Sequence, residues 1–205
     1  MTRKQQPDAI ARAVEQFEAQ GGILRSSEAM RTGVHAATLY KMRDEGVIEA
    51  LARGVYRLTR SEEMAQPDFV TVAKKIPNAV ICLVSALSFH GITTRIPTAV
   101  EIMLPRGSWV PTLGYPPIEV HTTQPKLHGL GRVVHQLDAM EVPIYDPEKT
   151  LVDCVKYRNK LGMELLIESL RLYRDRLPVK VDTIMEYARA CRVAKVMEPY
   201  LDGVL

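Results

Sequence analysis

The chain has no apolar run near the roughly 20 residues that a membrane-spanning helix needs. Its opening stretch, MTRKQQPDAI, carries charge but no apolar segment of the kind a secretory signal requires. A cytoplasmic protein without a membrane partner is the expectation. Cysteine is scarce: Cys82, Cys154 and Cys191 lie far apart among apolar residues. An odd count at such spacing argues against a disulfide framework and against a zinc site with paired ligands, and leaves three buried, reduced thiols. His121, His128 and His135 match no metal-ligand spacing. The GLG at 129–131 lacks the third glycine and following helix of a phosphate-cradling loop. Ser85 and His90 share a block with no acid placed to orient the imidazole, so no nucleophilic triad is legible. Ser85 reads as a helix cap and His90 as a helix end that favours the dipole when charged. No catalytic site, metal or cofactor is therefore expected.

What is present is ordinary in bulk and uneven in detail. The 205 residues are 46% hydrophobic and 25% charged, enough for one large or two small cores. Residues 1–60 hold ten Lys/Arg against seven Asp/Glu, whereas 61–205 hold seventeen of each. The whole net charge of +3 thus falls on the first segment, where a phosphate-binding surface would put it.

That first segment has a definite order. Ile10, Ala13, Val14 and Phe17 repeat at helical spacing over 8–19, opened by Pro7-Asp8 and stopped by Gly21-Gly22. Ser26 or Ser27 is placed to cap a short helix that ends near Gly33. A third helix over 35–45 turns Leu39 and Met42 toward a core and Ala36, Ala37, Tyr40, Lys41 and Asp44 away from it. Residues 47–58 read as a hairpin with Ile48, Tyr56 and Leu58 inward, Arg53-Gly54 at the tip and Arg57 outward. Helix, turn, helix and a basic-tipped hairpin are the outline of a winged helix-turn-helix, a DNA-reading module. His35, Ala36 and Ala37 lead its recognition helix, where small side chains allow close approach to base edges. Tyr40, Lys41, Arg43, Arg53 and Arg57 complete the candidate DNA-binding set.

The polar, Pro67-bearing stretch TRSEEMAQPD at 59–68 is the expected boundary between a winged domain at 1–62 and a second domain at 68–205. The second reads as a short helix over 68–76, an apolar run at 79–83 that fits strand or helix, and a helical turn at 85–90. Strands follow at 99–104, 118–122, 133–137 and 142–145, then helices over 147–158, 163–173, 182–191 and 194–201. The fold class is α+β, with a mixed or antiparallel sheet and C-terminal helices. In YDPEKTLVD (145–153), Asp146 suits an N-cap, Pro147 the first helical position and Glu148 the positive helix end. Lys156, Arg158, Lys160, Arg171, Arg174 and Arg176, balanced by Asp153, Glu164, Glu168 and Asp175, read as a solvated face or a partner surface.

Three blocks together resemble the AbiEi-type antitoxins and transcriptional regulators of bacterial type IV toxin–antitoxin and phage-defence systems. They are TLYKMRDEGVIEALARGVYRL (38–58), CLVSALSFHGITTRIPTAVEIMLPRG (82–107) and VPIYDPEKTLVDCVKYRNKLGMELLIESLRLY (142–173). The resemblance implies a non-enzymatic protein that binds inverted repeats in its own promoter and represses its operon. It also implies a second domain that helps neutralise a nucleotidyltransferase-type toxin, with or without a direct complex. Two other classes stay open. One is a DNA-targeted nuclease-like enzyme using carboxylates drawn from Glu101, Glu119, Asp146 and Glu148. The other is an effector-sensing repressor.

Overall fold

A computed structural model describes residues 9–59, 66–110, 112–137 and 140–204. Pro7-Asp8, and most of the expected boundary stretch, lie outside the described residues. Contacts gather the chain into two compact units. One is Met1–Pro77 with Pro111–Pro116 and Gln136–Glu141; the other is Asn78–Val110, Pro117–His135 and Val142–Leu205.

The first unit contains α1 (Ala9–Glu18), β1 (Ile23–Arg25), α2 (Ser26–Arg31), α3 (Ala36–Asp44), β2 (Ile48–Ala52), β3 (Val55–Leu58) and α4 (Pro67–Lys75). Gly22, at φ +82°, ends α1 by donating its N–H to the Phe17 carbonyl. The three strands form an antiparallel sheet in the order β1-β3-β2. Phe17, Leu24, Ala29, Leu39, Met42, Ile48 and Leu58 fill its core. Strand β1 was not legible in the sequence, because three residues are too few to show an alternation. Neither Ser26 nor Ser27 caps α2: the N-cap is Arg25, whose backbone N–H donates to the Glu28 carboxylate at 2.9 Å. The acid three residues into the helix thus satisfies the entering amide, one half of a capping box.

Helix α4 ties this unit together. Lys74, nearly buried, pairs with Glu28 of α2 at 2.8 Å, and Lys75 donates to the Arg53 carbonyl at the hairpin tip at 2.5 Å. Burial pushes the Glu28 carboxyl up, but the Arg25 amide and Lys74 outweigh it and hold it below its usual value. A fragment ending at residue 62 loses both ties; one ending at residue 77 keeps them. The 1–77 fragment is expected to be more stable by about 2 kcal/mol or more, since a charge-assisted bond of this kind contributes ~1.5–3 kcal/mol. Equal thermal unfolding of the two fragments by circular dichroism would show that α4 contributes nothing.

The second unit contains β4 (Val80–Ile81), α5 (Leu83–Phe89), β5 (Val100–Pro105), β6 (Ile118–Thr123) and α6 (Pro125–His128). Strands β7 (Arg132–Leu137) and β8 (Met140–Tyr145) follow as neighbours in the sheet. Then come α7 (Pro147–Lys156), α8 (Arg158–Leu161), α9 (Met163–Arg176), α10 (Val181–Ala190) and α11 (Ala194–Val204). The five strands run in the order β6-β5-β4-β8-β7. Strand β4 is antiparallel to β5 and parallel to β8, and β5 is parallel to β6, so the sheet is mixed. The α+β class is as expected. The apolar run at 79–83 proves to be both of its readings, a two-residue strand followed at once by a helix.

The core of this unit runs from α5 and the sheet into the C-terminal helices through Leu87, Tyr145, Val152, Leu166, Leu170, Tyr173 and Met197. Asp146 caps α7 by accepting the Lys149 N–H at 2.7 Å, as its place before Pro147 predicts. Gly131 explains itself here. Its φ is +67°, and a Cβ on it would stand 2.4 Å from Cβ of Lys149 and 3.0 Å from the Asp146 carboxylate. Its carbonyl accepts the Asp146 N–H at 2.8 Å, so the strand can meet the helix start only at a glycine.

Several expectations require correction. Ser85 is not a cap: it lies inside α5, fully buried, and its hydroxyl joins the helix to β5 through the Ala99 carbonyl and the Glu101 amide. His90 is the C-cap of α5, the helix-end place expected of it, but its surroundings do not favour the charged ring. Burial lowers its pKa, and its Nε2 lies 2.7 Å from the Tyr145 carbonyl, an acceptor that a neutral ring satisfies by donating. Asp153 is not on a solvated face but is buried against Lys149. Cys82 and Cys154 are buried and free, with thiols pushed up by burial, whereas Cys191 is only half-buried.

Candidate nucleic-acid interface

Helix α3 owes its orientation to two residues, Leu39 and Met42, both buried in the first unit's core. Spacing of three keeps them on one face and leaves the rest of the helix outward. The turn before it is set by Thr32, whose hydroxyl donates to the Ala29 carbonyl at 2.9 Å, and by Gly33 at φ +90°. A Cβ on Gly33 would touch nothing, so the backbone conformation and not space calls for glycine. His35 is the N-cap of α3 in extended conformation and makes no cap bond with its side chain. It is exposed, as are Ala36, Ala37, Tyr40, Lys41 and Arg43. The first turn of α3 therefore presents a polar ring followed by two methyl groups, with Tyr40, 54% exposed, one turn further on.

The cations around this face differ in how far they are already neutralised. Lys41 has only a loose pairing with Glu45 at 3.7 Å, both side chains about half exposed or more. Arg43 gives two N–H groups, at 3.0 and 2.8 Å, to Asp44, which raises its pKa, and its guanidinium lies 5.4 Å from the Tyr40 ring centroid. Arg53 sits exposed at the hairpin tip beside Gly54, with no side-chain partner among the described residues. Arg57 differs from its expected outward pose. The register opposes it to Glu49, whose carboxylate accepts from its Nε at 2.8 Å and also from Nη2, and the Arg57 side chain is largely covered. Lys41 and Arg53 are thus the cations most available to a phosphate. Sequence reasoning missed Arg12, which lines a groove of about 390 Å³ with Gln16, Thr32, His35 and Thr38. The groove flanks the start of α3, and only the packing of α1 could reveal it.

The carboxylates of the second unit do not form one set. Glu101 and Glu119 face each other across the parallel register of β5 and β6. Glu148 instead accepts from the Tyr173 hydroxyl at 2.8 Å and pairs with Lys180 at 3.2 Å, and Asp146 caps α7 and accepts from Tyr187. The three histidines do not converge either. His128 lies 3.3 Å from the Met103 carbonyl, His135 packs edge-on to Phe89, and His121 packs edge-on to Tyr157. Among the described residues, no helix is long and apolar enough to cross a membrane.

The crystal structure of the RV2827C protein from Mycobacterium tuberculosis is similar in fold, with a TM-score of 0.50 at 14% identity over 91% of this chain and 76% of that one. No curated protein matches the chain. Residues 12–59 match the family model described as "Transcriptional regulator, AbiEi antitoxin", a span that runs from α1 to the end of the wing. The winged module of this chain is thus similar to that of the AbiEi antitoxins and transcriptional regulators.

Proposed function

We propose that the protein is the antitoxin and autorepressor of a type IV toxin–antitoxin system, acting in the cytoplasm as a regulator and not as an enzyme. Its winged module, within residues 1–62 extended by α4, reads inverted repeats in its own promoter. The second domain, which begins after α4 at Asn78, helps neutralise a nucleotidyltransferase-type toxin. The observation that carries the DNA half is the exposed start of α3 within the family-matched span: His35, Ala36 and Ala37 lead, with Lys41 and Arg53 beside them. In this reading the alanines let α3 enter the major groove, His35 and Tyr40 meet base edges or sugars, and Lys41, Arg43 and Arg53 hold phosphates.

Two modules on one inverted repeat place two reading helices on the same face of the duplex. Footprinting of the protein on its own upstream DNA is expected to give paired protections with centres about 10 bp, or a multiple of it, apart. A single unpaired protection would contradict inverted-repeat recognition. For the second half, co-expression with the nucleotidyltransferase of the same operon is expected to restore growth, and to do so still when Lys41 and Arg53 are replaced. Rescue that disappears with those two cations would place neutralisation in repression alone.

A further inference from the structure

We infer that the second unit carries a divalent metal site formed by Glu101, Glu119 and His121, of the Zn²⁺ class and not the Mg²⁺ or Ca²⁺ class. The parallel register of β5 and β6 pairs Glu101 with Glu119 and Met103 with His121, which brings the three side chains to one spot from two neighbouring strands. Their ligand atoms all lie within 4.8 Å of one another. Nε2 of His121 stands 3.5 Å from the Glu119 carboxylate and 3.7 Å from that of Glu101. These separations are too long for good hydrogen bonds. They fit two ligands on one ion, since metal–ligand bonds of about 2.1 Å at a tetrahedral angle separate their ends by about 3.4 Å.

The histidine supplies the independent reason to expect an occupant. Its side chain is 4% exposed, and Nε2 is buried with no hydrogen-bond partner. Leaving such a nitrogen unpaired in the interior is unfavourable. The Tyr157 ring packs against the imidazole at 5.1 Å between centroids and holds its plane. Glu101 is fixed from the other side: Oε2 accepts the Ser85 N–H at 3.2 Å, leaving Oε1 as the oxygen that faces His121. Glu119, partly exposed, is held meanwhile by the Lys160 ammonium. Lys160 neutralises Glu119 as an internal cation and must leave it for a metal to bind.

Glu101 and Glu119 also line a cleft of about 290 Å³, together with Val84, Arg95, Pro97 and Leu161, which gives an ion its route in. One imidazole and two carboxylates are a donor set for zinc, cobalt or manganese, whereas magnesium and calcium favour oxygen throughout. Three protein ligands leave a fourth position to water or to an anionic group in the cleft.

The test uses the full chain and Co²⁺ as a spectroscopic probe, with Zn²⁺ in competition. One equivalent of Co²⁺ is expected to produce visible d–d bands without a thiolate charge-transfer band, and Zn²⁺ to abolish them. The absence of the thiolate band separates this site from Cys82, Cys154 and Cys191. Glu119→Gln and His121→Gln are each expected to weaken binding by about 100-fold or more, beyond the ~10–100-fold typical of outer-shell partners. Lys160→Met is expected to tighten it, by removing the competing ammonium. No cobalt bands at millimolar metal would overturn the inference. So would binding that is unchanged in both Glu119→Gln and His121→Gln, or a Lys160→Met variant that binds less tightly than the wild type.

Discussion

Replacement of Lys41 and Arg53 together by alanine is expected to weaken binding to the protein's own upstream DNA and to scrambled DNA alike, and to lower the salt slope by about two. Each phosphate contact releases close to one condensed counterion, so each lost contact removes about 0.9 from the slope of log K against log salt. These two are singled out because the other cations have given up more of their charge to neighbours. Arg43 and Arg57 hold Asp44 and Glu49 in bonds at ordinary or short distance, whereas Lys41 sits 3.7 Å from Glu45 and Arg53 has no side-chain partner among the described residues. An exposed pairing as loose as Lys41–Glu45 is worth little, so a phosphate displaces it readily. Arg57→Ala is accordingly expected to leave the slope nearly unchanged. A double variant with an undiminished slope, or an Arg57→Ala slope that falls by as much as the double variant's, would place the basic face elsewhere.

Lys149→Met is expected to cost the second unit about 3–5 kcal/mol, enough to lower its thermal midpoint on the order of 10 °C. Lys149 and Asp153 are each 1% exposed, 2.5 Å apart, one turn apart on α7. The ammonium also lies 4.3 Å from the Tyr145 ring centroid. Removal of Lys149 leaves Asp153 as a buried charge with no cation, and its Oδ1 already lacks a partner. Replacement of both, as Lys149→Met with Asp153→Leu, removes the uncompensated charge and is expected to recover most of the loss. If the single variant unfolds with the wild type, or the double variant is no better than the single, the pair is not what holds α7 in place. Urea unfolding followed by circular dichroism separates these outcomes.

The parts legible in the sequence are those specified locally. Leu39 and Met42 announce the inward face of α3 because helical periodicity is a short-range property. Asp146-Pro147 announces the start of α7 because capping needs only three consecutive residues. The Lys149–Asp153 pair was also within reach, since i,i+4 spacing on a helix with an apolar stripe puts both on one face. Other features depend on distant partners. Strand β1 exists because β3 pairs with it, and Arg25 begins α2 because Glu28 reaches back to its amide. The charge on Arg57 is quenched by a residue on the facing strand, so alternation alone counted it as outward. Glu101 and His121 meet only because β5 and β6 run parallel in one register, which no spacing in the chain encodes.

A winged module that reads DNA through α3 and its basic wing must bind with both sequence preference and salt dependence. The most direct test is a binding titration of the whole protein against its own upstream DNA across a salt series, with scrambled competitor of the same length. Preference for the upstream sequence over scrambled DNA by about 10³-fold or more is expected, with a steep fall in affinity with salt. Affinity equal to that for scrambled DNA, or indifferent to salt, would contradict DNA reading by this module.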